Sequence, residues 1–301
     1  MKNHKEGIVV ATRGRLFEVR TADSSHVNCE LRAKVKTKAD QTTPVAVGDE
    51  VLISASHEGG GIIEKVLPRR TSFSRPAKGV NSRRQVIAAN LEQLAIVTSV
   101  KSPRLKTGLI DRFLIAARIG SLEPIIIINK VDLSWSRELD DIVMVYREIC
   151  CPVFLTSAVV GTGLDDLRRQ LSGRLTLFTG HSGVGKSTIL NSLIPGLKQK
   201  TGEISKFSKR GKHITSSIEL FELSFGGYVV DSPGLKVMGL WEVEKDDLPH
   251  YYPEFESYSD KCRYQPCSHT HEPGCAVKAA CDAGKIHVIR YANYVAIADS
   301  L

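Results

Sequence analysis

Residues Gly180-His181-Ser182-Gly183-Val184-Gly185-Lys186-Ser187 fit the pattern GxxxxGK[ST], and they constrain the fold more tightly than any other stretch of the chain. They follow the apolar run Leu175-Thr176-Leu177-Phe178 and open a helical stretch at Lys186. Strand, glycine loop and helix, in that order, is the context in which such a loop wraps phosphates. The glycines let backbone N–H groups turn inward, and the helix N-terminus adds the positive end of its dipole. Lys186 is expected to reach the terminal phosphates and Ser187 to hold Mg²⁺, with Thr188 beside it in the first turn.

The surrounding pattern is α/β. Leu94–Val97, Ile125–Ile128, Val153–Leu155 and Tyr228–Val230 are short apolar runs. Between them lie helical stretches near 109–119, 136–149 and 164–171. Continuous apolar strands alternating with helices predict a parallel sheet covered on both faces.

Three further loops sit at the ends of these strands. Asn129-Lys130-Val131-Asp132 follows the isoleucine run. The Asp132 carboxylate can accept from N1–H and N2–H of guanine, a donor pair adenine lacks. Asn129 is expected at the base's carbonyl side, with the Lys130 stem packed over its face. Thr156-Ser157-Ala158 can offer the backbone N–H groups of Ser157 and Ala158 to the guanine carbonyl. Asp231-Ser232-Pro233-Gly234 places an aspartate where it can hold Mg²⁺ through water and offers the Gly234 N–H to a γ-phosphate. Such motifs are similar to those of the Ras-like GTPases, in circularly permuted order. The specificity motif at 129 and the base loop at 156 precede the phosphate loop at 180, the switch region near 213 and DxxG at 231. Permutation is tolerable where native termini lie close together. It puts DxxG next to the last part of the chain, so movement there could pass straight on.

Four of the seven cysteines lie in the last 40 residues. Cys262, Cys267, His269 and Cys275 offer three thiolates and an imidazole, the donor set of a closed structural Zn²⁺ site. His271 and Cys281 compete as ligands by proximity.

With 301 residues, two or three domains are expected. Residues 1–68 carry short strand-like runs (7–10, 16–19, 50–53) with turns at Gly14, Gly48-Asp49 and Gly59–Gly61, which predicts a small β-barrel, either an OB-fold or an SH3-like barrel. Residues 69–238 form the permuted α/β P-loop domain, opened by a basic, loop-like linker over 69–90. Residues 239–301 form a mostly helical, zinc-binding domain. No run is long and apolar enough for a membrane span, and the first thirty residues lack a signal-peptide core, so a cytoplasmic, soluble protein is expected. The net charge of +8 points to a polyanionic partner. The stretch Lys198–Lys212, with six basic residues against Glu203, is a candidate contact with RNA phosphates.

Together, Asn129–Asp132, Gly180–Ser187, Arg210-Gly211-Lys212-His213, Asp231–Gly234 and the Cys262/Cys267/His269/Cys275 spacing resemble the RsgA (YjeQ) family of circularly permuted, small-subunit-dependent GTPases. The likeness covers nearly the whole chain. It implies an OB-fold at the N-terminus and hydrolysis of GTP to GDP and phosphate. It further implies binding to the 30S subunit and its 16S rRNA late in maturation, stimulation by that subunit, and no membrane partner. The chain is expected to act as a monomer. The resemblance also makes His213 the catalytic residue, because Leu235 stands where Ras-like enzymes carry a water-orienting glutamine. The family's consecutive threonines after this histidine are replaced by Ile214-Thr215-Ser216-Ser217. Thr215 is then the switch residue for Mg²⁺ and the γ-phosphate, with Ser216 the alternative. Leu235 also supports a second function class, an rRNA-binding module whose nucleotide site is regulatory and hydrolyses poorly.

Overall fold

The computed structural model describes residues 4–33, 35, 39–56, 60–77, 80–197, 218–231, 240 and 243–301, with backbone alone at 80–82. His213, Thr215, Ser216, Gly234, Leu235 and the basic stretch 198–212 lie outside the described residues.

The N-terminal barrel is built from β1 (Lys5–Arg13), β2 (Leu16–Thr21), β3 (His26–Leu31), β4 (Glu50–Ala55) and β5 (Gly61–Val66). The strand order is β1-β2-β3-β5-β4, and β4 closes back onto β1. The β3–β5 pair is parallel and the other pairs are antiparallel. A five-stranded barrel closed this way is the OB-fold. Alternate residues point inward: Val9, Phe17, Val19, Cys29, Val51, Ile53 and Ile63 fill the interior. At Gly61 a Cβ would lie 2.6 Å from Cys29 Sγ, so only glycine lets β5 close against β3.

Residues 72–89 are not the loop expected from their charge. They form an antiparallel hairpin of β6 (Ser72–Ala77) and β7 (Val80–Ala89). Phe73, Val86, Ile87 and Ala88 are buried between the barrel and the α/β domain. Much of the positive charge is already matched. The Arg69 guanidinium donates to both oxygens of the fully buried Asp49 at 2.7 and 2.8 Å, and Arg84 pairs with Asp40 at 2.9 Å.

The α/β domain comprises β8 (Gln93–Ser99), α1 (Thr107–Ile119), β9 (Glu123–Asn129), α2 (Arg137–Glu148), β10 (Val153–Leu155), α3 (Leu164–Leu171), β11 (Leu175–Thr179), α4 (Lys186–Leu193), β12 (Ile218–Glu222) and β13 (Tyr228–Asp231). Its order is β10-β9-β8-β11-β13-β12, parallel except for β12. α1 and α2 cover one face with Ile110, Phe113, Ile142 and Tyr146. α3 and α4 cover the other with Leu164, Leu167, Ile189 and Leu190. The sheet does not stop at β12. Ala11 and Thr12 of β1 pair with Glu219 and Ile218, so barrel and α/β domain share one hydrogen-bonded sheet.

The C-terminal region has two short 3-10 turns (Leu248–Tyr251, Pro253–Phe255), then α5 (Glu256–Ser259), α6 (Ala276–Asp282) and α7 (Val288–Ala298). Tyr252, Phe255 and Tyr294 form its aromatic centre, with ring centroids about 5 Å apart. α7 packs on α1. Among the described residues no helix is long and apolar enough to cross a membrane.

Candidate functional site

The phosphate loop leaves the top of β11 at Thr179 and enters α4 at Lys186. Gly180 has φ of 140°, and a Cβ there would meet Val97 O at 2.1 Å. Gly185 has φ of 98°, and a Cβ there would meet Asn129 Nδ2 at 2.3 Å. The glycines are therefore fixed by the neighbouring strands as well as by the loop's curvature. Lys186 is buried, and its Nζ donates to Gly180 O at 2.8 Å and His181 O at 3.0 Å. Burial lowers its pKa, against the pull of the Asp231 carboxylate. Asp231 ends β13 in register with Phe178 of β11, which places an acid beside the loop's lysine. Ser187 and Thr188 lie half-buried in the first turn of α4, where backbone N–H groups have no partner within the helix. His181, Ser182 and Gly183 are exposed, while Val184 is buried and anchors the loop.

The loops expected to meet here do meet. Asn129 is buried at the end of β9, but its carboxamide is engaged by protein rather than turned outward to a base. Its Nδ2 donates to Val184 O at 3.0 Å. Its Oδ1 accepts from Thr156 Oγ1 and from the Ala158 N–H, both at 3.2 Å. One side chain thus ties the 129–132 loop to the phosphate loop and to the 156–162 loop. Lys130, at φ of 65°, donates to Gly183 O at 2.6 Å and also to Ser102 O. The Ser157 hydroxyl accepts from Val160 N at 3.3 Å and shapes the 156–162 turn. Asp132 is exposed. The 100–106 loop is a participant that motif reading missed. Its only sequence signal is the Ser102-Pro103 turn after β8, and its contribution is a backbone carbonyl.

Gly185→Ala is expected to disable this arrangement, because the added methyl group drives into the Asn129 amide at a backbone angle that alanine resists. Circular dichroism and nucleotide titration together check this. A folded variant with wild-type nucleotide affinity would contradict it.

In the C-terminal region the ligand atoms of Cys262, Cys267, His269 and Cys275 lie within 4.8 Å of one another. Cys262 Sγ is 3.8 Å from Cys275 Sγ, and His269 Nδ1 is 3.5 and 3.4 Å from those two sulfurs. Tetrahedral zinc with Zn–S bonds of about 2.3 Å and a Zn–N bond of about 2.0 Å requires edges of about 3.8 and 3.5 Å. The donor set and its spacing therefore fit zinc. His269 Nε2 faces Ser259 Oγ at 3.3 Å, which holds Nδ1 toward the sulfurs. His271 instead contacts Thr270 Oγ1 through its Nδ1, and neither it nor Cys281 belongs to the cluster.

A family model described as RsgA GTPase matches residues 66–241. The chain belongs to the RsgA GTPase family. It is 38% identical over 294 residues to the Small ribosomal subunit biogenesis GTPase RsgA 2 of Bacteroides thetaiotaomicron, covering 96% of this chain and 95% of that one. It is 38% identical over 309 residues to the Small ribosomal subunit biogenesis GTPase RsgA of Chlorobaculum tepidum, covering 100% and 99%. Among solved structures it is similar to YjeQ from Thermotoga maritima, with a TM-score of 0.80, 33% identity and 99% coverage of both chains. It is also similar to YloQ, described as a circularly permuted GTPase, with a TM-score of 0.74, 27% identity and coverage of 99% and 95%. This RsgA-family chain is accordingly a GTP hydrolase, and its permuted motif order is that of its relatives.

Proposed function

We propose that this chain is a GTPase of small-ribosomal-subunit biogenesis. In this reading it binds the 30S subunit and its 16S rRNA in the cytoplasm, late in maturation, and hydrolyses GTP under stimulation by that subunit. The printed names of its relatives support the subunit as partner. The observation that carries the nucleotide reading is Asn129, whose single amide joins the guanine-side loops to the phosphate loop. A phosphate loop alone would suit any nucleoside triphosphate.

The roles follow from position. Asp132 accepts from the guanine edge, and the Ser157 and Ala158 backbone faces the base carbonyl. Lys130 and Asn129 hold the loops at the spacing the nucleotide needs. Gly180–Gly185 wrap the phosphates with backbone N–H groups, and Lys186 exchanges its two loop carbonyls for phosphate oxygens. Ser187, Thr215 and, through water, Asp231 would hold Mg²⁺, which offsets the charge of the β- and γ-phosphates when bound. Gly234 would sense the γ-phosphate. The metal cluster holds structural zinc: four protein donors leave no position open for chemistry.

Single-turnover GTP hydrolysis with and without 30S subunits tests the reading. Strong stimulation is expected. Hydrolysis as slow with the subunit as without it would favour an rRNA-binding module with a regulatory nucleotide site, the reading that Leu235 supports.

Asp132→Asn is expected to weaken GTP binding and to create binding of xanthosine triphosphate, because the amide can donate where guanine's own donors stood. A loss of about 2 kcal/mol or more is expected, typical of a charge-assisted contact removed from a site built for it. Competition titrations with both nucleotides check this, and unchanged GTP affinity would remove Asp132 from the site.

A further inference from the structure

The metal-binding region reaches the nucleotide site by a route that avoids the switch segments. Arg290 of α7 is almost fully buried against α1. Its guanidinium lies between two carboxylates, Asp111 at 2.5 Å and Glu254 at 2.6 Å, and over the Tyr252 ring at 4.4 Å. Burial opposes its charge, yet the two carboxylates hold its pKa above the ordinary arginine value. Asp111, fully buried in α1, also accepts from Asn293 Nδ2 at 2.8 Å and from the Tyr146 hydroxyl of α2 at 2.9 Å. One carboxylate therefore joins three helices. The same neighbours hold the first residue of α1: Thr107 Oγ1 donates to Asn293 Oδ1 at 3.3 Å, and the Tyr146 hydroxyl shares its one proton between Asp111 and Thr107 O, the latter at 3.2 Å. A Cβ on Gly108 would already touch Asn293 Oδ1 at 3.4 Å, which shows how closely α7 seats on this turn.

Thr107 directly follows the 100–106 loop. That loop is pinned at its base by Ser99 Oγ donating to Pro103 O at 2.8 Å. Its Ser102 carbonyl accepts from Lys130, whose other bond goes to Gly183 of the phosphate loop. At the far end α7 grips the metal ligands' own backbone, because the Tyr291 hydroxyl donates to His269 O at 2.8 Å. Polar contacts thus run from the metal cluster through α7, Asp111 and Thr107 to the 100–106 loop and Lys130.

We propose that the docking of α7 through Asn293 and Arg290 onto Asp111 sets nucleotide affinity from the guanine side. Asp111, Asn293 and Arg290 are positioning residues: none touches nucleotide, and each acts through the 100–106 loop on Lys130. The proposal rests on the reading of the 129–132 and 180–187 loops as the guanine-nucleotide site. Coupling of this kind is reciprocal, so bound nucleotide also tightens the seat of α7. The contacts of the route run through α1, the 100–106 loop and Lys130 and include none of the residues after β13, so the proposal expects the same effect with and without a γ-phosphate.

The test measures release of a fluorescent GDP analogue and of a non-hydrolysable GTP analogue from the full-length, metal-loaded protein. Asp111→Asn and Asn293→Ala are compared with wild type, with metal content and bound-nucleotide stoichiometry recorded for each. Both variants are expected to release GDP about five-fold faster or more, the lower range of measured couplings. The GTP analogue should be released faster by the same factor, with stoichiometry and metal retained. A merely structural defect would lower stoichiometry and leave the rate of the active fraction unchanged, which overturns the proposal. Unequal factors for the two nucleotides would also overturn it, by moving the effect to the switch segments. If Asp111→Asn sheds its metal, the milder Asn293→Ala decides. A wild type that binds no guanine nucleotide would overturn the reading of the site and this proposal together. A wild type that binds, beside variants that do not change, overturns this proposal alone.

Discussion

Cys267→Ala is expected to be purified without metal and with residues 243–286 unfolded. Apart from the metal ligands, the segment is held by Tyr252 and Phe255 packed against Tyr294 and by the Glu254–Arg290 pair, but its own elements are short. Between Val243 and Ile286 the regular elements are two 3-10 turns, the four-residue α5 and the seven-residue α6. Helices that short do not persist in water on their own. The four donors lie between or at the ends of these elements, and Cys275 also caps α6, its sulfur accepting from Lys278 N at 3.5 Å. Ligation is then folding energy, on the order of 10–16 kcal/mol in zinc-finger peptides. The thiols must lose protons to bind metal, and burial pushes Cys267 up to about 12 and Cys275 upward as well. Protons compete with metal, so acid should release it and the segment should unfold with it. One nucleotide per chain should still be bound, because β11 and α4 rest on Phe178, Ile189 and Leu190, in a core the metal region does not share. Elemental analysis and hydrogen exchange over 243–286 read the outcome. Wild-type protein that contains no zinc, or a metal-free variant still protected there, would rule this out.

How legible the molecule was in its sequence depends on which force set each part. The buried strands of the α/β domain were readable because isoleucine runs such as Ile125–Ile128 have no other stable place than a sheet covered on both faces. The phosphate loop was readable because the left-handed turns at Gly180, Gly183 and Gly185 leave glycines at fixed spacing in the sequence. The hairpin at 72–89 was not. Its arginines suggested solvent, but Arg84 pairs with Asp40, 44 residues away, and sequence distance hides such partners. β12 was missed because it is short, half-buried and flanked by polar residues; only its pairing with both β13 and the barrel makes it a strand. The choice between barrel types turned on one parallel pair, β3 with β5, which no local pattern encodes. In the site, the bonds of Asn129 to Val184, Thr156 and Ala158 were not legible, because a motif shows which residues gather and not which of them hold one another. Arg290 and Asp111 gave no signal at all: each looks like an ordinary charge on an amphipathic helix until the two helices are packed together.

His213→Ala is expected to abolish most of the subunit-stimulated GTP hydrolysis while sparing nucleotide and subunit binding. Leu235, in the position after DxxG, has no polar group with which to orient water. In the phosphate loop the Lys186 Nζ is bound to two loop carbonyls, with Asp231 beside it. Basal turnover should accordingly be slow. The segment carrying His213 leads into β12, which is stitched to the α/β sheet through Glu219–Asp231 and to the barrel through Thr12–Ile218. A partner that grips the barrel therefore bears on the anchor of the switch segment without touching the nucleotide. If the subunit acts on residues 205–217 in this way, His213 can approach the attacking water. Groups that complete such sites in related GTPases are worth roughly 10³ to 10⁵ in rate. A fall of about a hundred-fold or more in the stimulated single-turnover rate is therefore expected for His213→Ala. Leu235→Ala should change it far less, since that side chain has no polar role to lose. Subunit-stimulated hydrolysis by His213→Ala at the wild-type rate would return the histidine to the status of a loop residue. The stimulation would then have to come from a group that the subunit itself supplies.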